Sequence, residues 1–243
     1  MDKRLFFIIN GDWSHPALDR SMAILSCLDF WVPILALALA WVAWRGGVRG
    51  RLAIFALALA LGIGDGVVAR HLKQATDRLR PRDTTAAAVV RELDETGPKV
   101  IGAWAGAFRP VEVHAAKPWF EKKRKSGKEP ERPGGRSFPS AHVLNNFSAA
   151  TAVVLIFGWR WAWLYAFGAA MAFSRVYVGA HWPSDAAASI PLGIAVGGIA
   201  VWVTQEAWER LGRRHFPKAF AQCPTLRRSQ AKPGGAAVDG AAA

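Results

Sequence analysis

Five apolar stretches set the terms on which this 243-residue chain can fold. They cover residues 23–44, 52–69, 143–157, 161–178 and 186–208. Most approach the roughly 20 residues that an α-helix needs to cross a bilayer. In hydrocarbon the backbone has no water to bond, so such stretches fold as helices. The expectation is an all-α, integral-membrane helical bundle of about five transmembrane helices. Polar residues interrupt it: Asp29 and Asp65 fall within the first two stretches, and Asn145 and Asn146 near the start of the short third. A soluble Ala-rich bundle is the competing fold, but five long apolar segments are hard to hide in a soluble core of this size. The composition is 52% hydrophobic with 12 Trp, yet the mean hydropathy is only +0.13. A long polar loop and a polar tail account for the dilution.

The formal charge of +13 matters through its placement. Five spans put Arg45, Arg49, Arg51, Arg160, Arg210, Arg213, Arg214 and Lys218 on one side, in short loops and at helix flanks. There the positive-inside rule has most force, so this side is expected to be cytoplasmic. Lys3, Arg4 and Arg20 fall on the other side and run against the trend. Nucleic acid is not the expected partner, because the basic residues do not gather on one soluble element. Attraction to anionic headgroups explains the flanking charges more simply. Cys27 and Cys223 fall near opposite faces, where they cannot pair with each other or build a metal site. The stretch Leu5–Ile9 after Lys3-Arg4 is too short for the core of a signal peptide. With Trp13 it suits an interfacial segment, and it becomes a sixth span if it re-enters the membrane.

Residues 1–220 are expected to form one membrane domain, with 83–137 as a long extracytoplasmic loop and 221–243 as a disordered cytoplasmic tail. The helix of the second span should continue past Arg70 and stop near Leu79, because Pro81 biases Arg80 away from helical geometry. Within the loop, residues 84–95 suit a helix, and Trp104, Phe108, Trp119 and Phe120 suit a headgroup region. Residues 121–136, dense in Lys, Arg, Gly and Pro, suit a mobile hinge. His114 reads as a surface histidine.

Three polar clusters lie among the apolar stretches: Lys73 with Arg80-Pro81; Pro139-Ser140-Ala141-His142; and Ser174-Arg175 with His181 and Asp185. Together they supply two imidazoles, a carboxylate and three long cations. Lys73 and Arg80 are seven apart, so a continuous helix would carry them on one face about 10.5 Å apart along its axis. Arg offers a planar fork to a phosphate and Lys a movable point charge. Ser140 stands where an N-cap belongs, and a helix start binds anions. Arg175 at the end of a span is costly and points to function. His181 and Asp185 are four apart, so the carboxylate can accept the Nδ1 proton and leave Nε2 free as a nucleophile. Each cluster has an ordinary explanation in headgroup contacts or helix caps. The topology derived from loop charges nonetheless puts all three on one membrane face.

The patterns K-x6-R-P, P-S-x-H and S-R-x5-H-x3-D, in this order, resemble the three signature motifs of the phosphatidic acid phosphatase type 2 superfamily, over roughly residues 68–200. The resemblance implies a helical-bundle phosphatase that uses no metal or other cofactor and passes through a phosphohistidine. It implies that His181 is the nucleophile and Asp185 its orienting partner. His142 is the implied general acid, and Lys73, Arg80, Ser140, Ala141 and Arg175 bind the phosphoryl oxygens. The second motif often has Gly where this chain has Ala141, which still donates its backbone N–H.

Soluble bacterial acid phosphatases and vanadium haloperoxidases carry similar motifs, but the apolar spans argue against both. A lipid phosphotransferase using the same phosphohistidine is an alternative, as is a non-catalytic lipid-binding membrane protein with a relic site. The implied substrate is a lipid-linked phosphomonoester or diphosphate. The compact layout is similar to bacterial undecaprenyl-diphosphate phosphatases, while phosphatidic acid, phosphatidylglycerol phosphate and lipid A 1-phosphate stay open. The implied location is the bacterial inner (cytoplasmic) membrane, multi-pass, with the active site facing the periplasm or exterior. The bilayer is the implied partner, and oligomeric state is not legible.

Overall fold

The structure is a computed structural model that describes residues 1–94, 96–118 and 136–227. The chain is mostly helical. Among the described residues three helices are long and apolar enough to cross a membrane: α3 (Leu28–Arg45), α4 (Gly47–Thr76) and α9 (Pro183–His215). The stretches at 143–157 and 161–178 fold as shorter helices, α7 (Ala141–Phe157) and α8 (Trp163–Tyr177). None of the residues of α3 is buried, and Leu37, Trp41 and Trp44 are more than half exposed. A helix apolar on all sides with so little protein around it needs hydrocarbon as its solvent.

The centre of the bundle is α7 packed against α9, with α4 and α8 alongside. Ser189, Gly193 and Gly197 recur every four residues on α9 and form a stripe of small residues. Such a stripe lets two helix backbones approach closely. A Cβ at Gly193 would stand 2.5 Å from the Leu144 carbonyl oxygen, and one at Gly197 would stand 2.4 Å from that of Ser148. Ser148 Oγ bridges the same interface, donating to the carbonyls of Leu144 (2.9 Å) and Gly193 (3.0 Å). The polar interruptions of two spans also meet. A π-type stretch of α4, Gly62–Ala69, carries Asp65, whose carboxylate accepts from Asn145 Nδ2 at 2.9 Å.

Three expectations are corrected. The helix of the second span ends at Thr76, not near Leu79, because Asp77 takes a left-handed conformation (φ 43°). Residues beyond it run extended, as Pro81 requires of Arg80 (φ −74°, ψ 155°). Leu79 forms a bridge with Arg136, and Ser137 N donates to Arg78 O at 2.6 Å. Lys73 and Arg80 therefore do not share a helix face.

The helix expected at 84–95 is absent over its described residues, 85–94. After the single turn α5 (Pro81–Thr84), β1 (Val89–Glu92) pairs antiparallel with β2 (Glu112–Ala115), Val90 opposite His114. Val89, Val90 and Val113 favour a pleated, half-buried surface over a helix. Arg91 anchors the hairpin. It is only 2% exposed, it binds Asp19 at 2.5 Å, and it donates to the carbonyls of Asn10 (2.8 Å) and Tyr177 (2.9 Å). His114 is exposed, as expected of a surface histidine.

Ahead of α2 (Pro16–Ser26), the N-terminal segment buries one face in the core and leaves Leu5 and Trp13 about half exposed. α1 (Asp2–Phe7) and the π-type turn Ile8–Asp12 cover roughly 16 Å at 1.5 Å per residue, about half a bilayer core. Phe6 and Ile9 are buried in the core with Val143, Tyr177 and Trp182. Asn10 is fully buried and satisfied by Val89 N (2.8 Å), Val89 O (2.7 Å) and Tyr177 O (2.8 Å).

The start of the expected tail is folded. α10 (Pro217–Gln222) follows α9, Trp208 Nε1 donates to Cys223 O at 2.7 Å, and Leu226 N donates to Gln205 Oε1 at 2.7 Å. Leu226 is fully buried among Ala53, Ala56, Ala152, Ile156 and Val201. The remaining tail, residues 228–243, lies outside the described residues. So do Trp119, Phe120 and all but Arg136 of the expected hinge. In the loop, α6 (Lys99–Ala107) packs along α3, where Trp104 stacks on Phe30 with ring centroids 4.5 Å apart. Phe108 just beyond is 80% exposed, as suits a headgroup region.

Candidate active site

The spacing of the third cluster is a helix cap. At the end of α8, Gly179 turns left-handed (φ +79°), its N–H bonding to Val176 O (3.0 Å) while Ala180 N bonds to Arg175 O (3.0 Å). This is a Schellman motif. His181 N donates to the same Arg175 carbonyl at 3.1 Å. The five residues between Arg175 and His181 thus fold the chain back, so that the backbone of one fixes the backbone of the other. A side chain at Gly179 would also meet Val89 O at 2.9 Å.

His181 is buried, and its Nδ1 lies 2.6 Å from the carbonyl oxygen of Ser137. A carbonyl can only accept, so Nδ1 carries the proton and the neutral ring keeps its lone pair on Nε2. Burial holds the His181 imidazole well below the usual histidine range, and the positive charges of Arg175 and Arg80 add to the shift. The bond to Ser137 acts the other way and is outweighed. At neutral pH the ring is uncharged.

Asp185 is not the direct partner expected of it. It is fully buried at the start of α9, and its oxygens are taken: one by Arg78 Nη1 at 2.5 Å, the other by the Ser137 hydroxyl and by Trp182 N at 3.3 Å. The Ser137 backbone occupies the place beside Nδ1. Asp185 therefore reaches His181 only through Ser137, holding the residue whose carbonyl holds the ring.

The second cluster is tied to the third. Ser140 N donates to Ser189 Oγ at 2.9 Å, and that hydroxyl donates to Asp185 O at 2.6 Å. These bonds lock the start of α7, and with it Ala141 and His142, to the start of α9. Ser140 occupies the N-cap position but makes no side-chain cap bond. Its buried Oγ has no partner, and neither has the buried Nε of Arg80 or of Arg175. Among the described residues none of Lys73, Arg80 and Arg175 is ion-paired. The charges of Arg175 and Arg80 bear on both His181 and His142, and that of Lys73 on His142.

The fold thus brings all the expected site residues together. Lys73 at the end of α4 and Arg80 in the extended segment approach the start of α7 with Ser140, Ala141 and His142. Arg175 and His181 come from the end of α8, and Asp185 from the start of α9. Like charges held close with unpaired buried donors are costly unless an anion completes them. A cavity of about 400 Å³ opens beside Arg175, lined also by Ser26, Arg82 and Glu92. Three residues that complete the geometry carried little signal. Ser137 acts through its backbone, Ser189 is a small residue in an apolar run, and Arg78 lies unmarked inside the first motif.

Comparison with known proteins bears on this arrangement. Residues 49–209 match the family model of the PAP2 superfamily. A lipid A 4'-phosphatase from Bacteroides thetaiotaomicron is 32% identical over 74 residues, 30% of this chain and 31% of that protein. A lipid A 1-phosphatase from Porphyromonas gingivalis is 32% identical over 79 residues, 31% of this chain and 18% of that protein. The chain thus matches a third or less of the length of these curated relatives. The crystal structure of Aquifex aeolicus LpxE is similar over 83% of this chain and 94% of that one, at 19% identity and a TM-score of 0.49. The family match encloses every site residue from Lys73 to Asp185, and the chain belongs to the PAP2 superfamily.

Proposed function

We propose that the protein hydrolyses a lipid-linked phosphate ester at the bilayer surface, without a metal, through a phosphohistidine on His181. The observation that carries the reading is the set of buried, unpartnered donors, Arg80 Nε, Ser140 Oγ and Arg175 Nε, gathered beside a histidine whose Nε2 is free. These donors, with Lys73 and the N–H of Ala141, bind the phosphoryl oxygens and stabilise the charge that builds on them in the transition state. His181 Nε2 attacks phosphorus in line, forming the N–P bond as the P–O bond to the lipid breaks. His142 gives its proton to the departing oxygen and then takes one from the water that hydrolyses the phosphohistidine. The Nδ1–H bond to Ser137 O stabilises the positive ring of the intermediate.

The similarity to lipid A phosphatases favours a lipid phosphomonoester. Undecaprenyl diphosphate and phosphatidate share the reacting group and complete the substrate set. In this reading five helices cross the bacterial inner membrane, α7 and α8 included, and the site faces away from the arginine-rich side. Phosphate release from a panel of these lipids in detergent, with no added acceptor, tests the reading. Release by the wild type, its loss in His181→Ala, and an acid-labile label on the protein from radiolabelled substrate are expected. Chelator should leave the rate unchanged. Release that persists in His181→Ala, or that needs an acceptor alcohol, would overturn it.

A further inference from the structure

A second tier of residues lies behind the reacting groups. Arg78 is the hub. Its Nη1 donates to Asp185 at 2.5 Å and to Ser184 Oγ at 2.8 Å, and its Nη2 binds Asp2 at 2.5 Å. Asp2 in turn accepts from Ser184 N (3.0 Å) and Ser184 Oγ (2.7 Å). The guanidinium therefore bridges a carboxylate of α1 and a carboxylate of α9. Trp182 braces it: Arg78 lies over the indole with the guanidinium carbon 5.7 Å from the ring centroid, and Trp182 Nε1 donates to Leu79 O at 2.9 Å. The Arg78 carbonyl receives Ser137 N at 2.6 Å, so Arg78 holds Ser137 by its backbone and Asp185 by its side chain.

We infer that Arg78, anchored by Asp2, is a positioning residue that keeps Asp185 on the Ser137 hydroxyl and so keeps the Ser137 carbonyl on His181 Nδ1. The reasoning is geometric. Asp185 sits at the first turn of α9, four residues from His181, and the two share Ser137: the carboxylate takes its hydroxyl and Nδ1 its carbonyl. A fully buried carboxylate turns toward whatever cation or donor it can reach. With Arg78 on one oxygen, the other faces Ser137. Without Arg78 the carboxylate has lost its cation, and Ser137 Oγ and Trp182 N on one oxygen are all that hold it. The Ser137 carbonyl then loses its hold, and the ring no longer presents Nε2 along one line. The planar guanidinium meets acceptors on two elements from two separate nitrogens, Nη1 toward Ser184 and Asp185 and Nη2 toward Asp2, whereas a lysine would offer all three of its donors from one point. Arg78 has no part in binding phosphate here; it acts on the nucleophile from behind.

This inference rests on the phosphohistidine reading, and the test separates the two. Phosphate release is measured for the wild type, Arg78→Gln, Arg78→Lys, Arg78→Ala and Asp2→Asn in the full chain in detergent, each with its thermal midpoint. Arg78→Gln should lower kcat on the order of 10- to 100-fold with KM little changed. Arg78→Lys should recover little of it, and added guanidinium should restore part of the rate of Arg78→Ala. Asp2→Asn, at the edge of the structure, should fold and lower kcat a few-fold in the same sense. The substrate-free readout is the 15N spectrum of the histidines: wild-type His181 should be the Nδ1–H tautomer, and Arg78→Gln should broaden or shift it. Unchanged kcat and an unchanged His181 tautomer would overturn the inference, as would a raised KM at constant kcat, which would put Arg78 on the substrate. If the wild type releases no phosphate from any lipid, the reaction assigned above fails, and the tautomer measurement still decides the role of Arg78.

Discussion

Gly193 offers a sharp test of how closely the two halves of the site must be held. His142 sits on α7 and His181 immediately before α9, and those helices touch where Gly193 meets the backbone of Leu144, two residues beyond His142. A methyl group there would stand 2.5 Å from the Leu144 carbonyl oxygen and 2.8 Å from Phe147 Cβ, where ordinary contact begins at 3.4 Å. The oxygen is backbone within a helix and cannot swing aside. Gly193→Ala should therefore part α7 from α9 by about 0.9 Å, because a close-packed interior transmits such a strain. A misplacement of about 1 Å costs roughly 100-fold when reacting groups must align. The expected result is kcat reduced by one to two orders of magnitude, with KM changed less, because the cations on α4 and α8 are not displaced. Overpacking should also cost about 1–3 kcal/mol of stability. Gly197→Ala meets the Ser148 carbonyl at 2.4 Å, but about 6 Å further along α9, so it should cost similar stability and less rate. Gly198→Ala, with nothing within 4 Å, is the control and should be neutral or slightly stabilising. The assay is phosphate release in detergent with thermal midpoints alongside. Wild-type kcat in Gly193→Ala would refute the argument, and so would a larger rate loss at Gly197 than at Gly193.

Ser140→Ala should leave the thermal midpoint unchanged, because the hydroxyl has no partner to lose, while kcat/KM falls on the order of 100-fold as one donor to the transition state disappears; a fall in stability without one in rate would make Ser140 a cap after all. His181 makes stability depend on pH in one direction. Its folded-state pKa is depressed, so as pH falls below the ordinary value near 6.5 the unfolded chain takes up a proton that the folded chain refuses, and stability is lost down to the folded pKa. Thermal midpoints between pH 7.5 and 5 should therefore drop more steeply for the wild type than for His181→Gln, and parallel curves would contradict the burial argument. Leu226→Ala should cost about 2–5 kcal/mol, read as a lowered thermal midpoint, with kcat unaffected because the side chain packs far from the site among Ala53, Ala56 and Val201.

Much of the candidate site's geometry was legible from spacing. Arg175 and His181 are separated by the number of residues that a helix cap and turn require, and Ser140 falls one residue before an apolar helix. These are local relations, which a sequence carries well. Asp185 shows where the reading fails. The four-residue separation from His181 permitted a direct bond, but a backbone carbonyl won the position, and a carbonyl has no residue type to betray it. Arg78, Asp2 and Ser137 were missed for the related reason that their partners lie between 44 and 182 residues away in sequence. The hairpin at 89–92 and 112–115 rests on four-residue strands whose anchor, Arg91, reads as one more surface charge until Asp19, Asn10 and Tyr177 surround it. Leu226 is a single apolar residue in a polar stretch. Its burial depends on a slot between three helices, lined by Ala53 and Ala56 of α4, Ala152 and Ile156 of α7 and Val201 of α9, which no periodicity announces.

The bridge between Leu79 and Arg136, with Ser137 N on Arg78 O, brings the chain back to the point from which it left for the long excursion. The excursion is thus stapled at its base, as a hairpin of any length is by its stem. The entropy of closing such a loop grows only with the logarithm of its length. Insertions or deletions between the stem residues, outside the β1–β2 hairpin, should hardly disturb the reacting groups below. The stem can then hold the candidate site constant while the segment above it changes length and sequence.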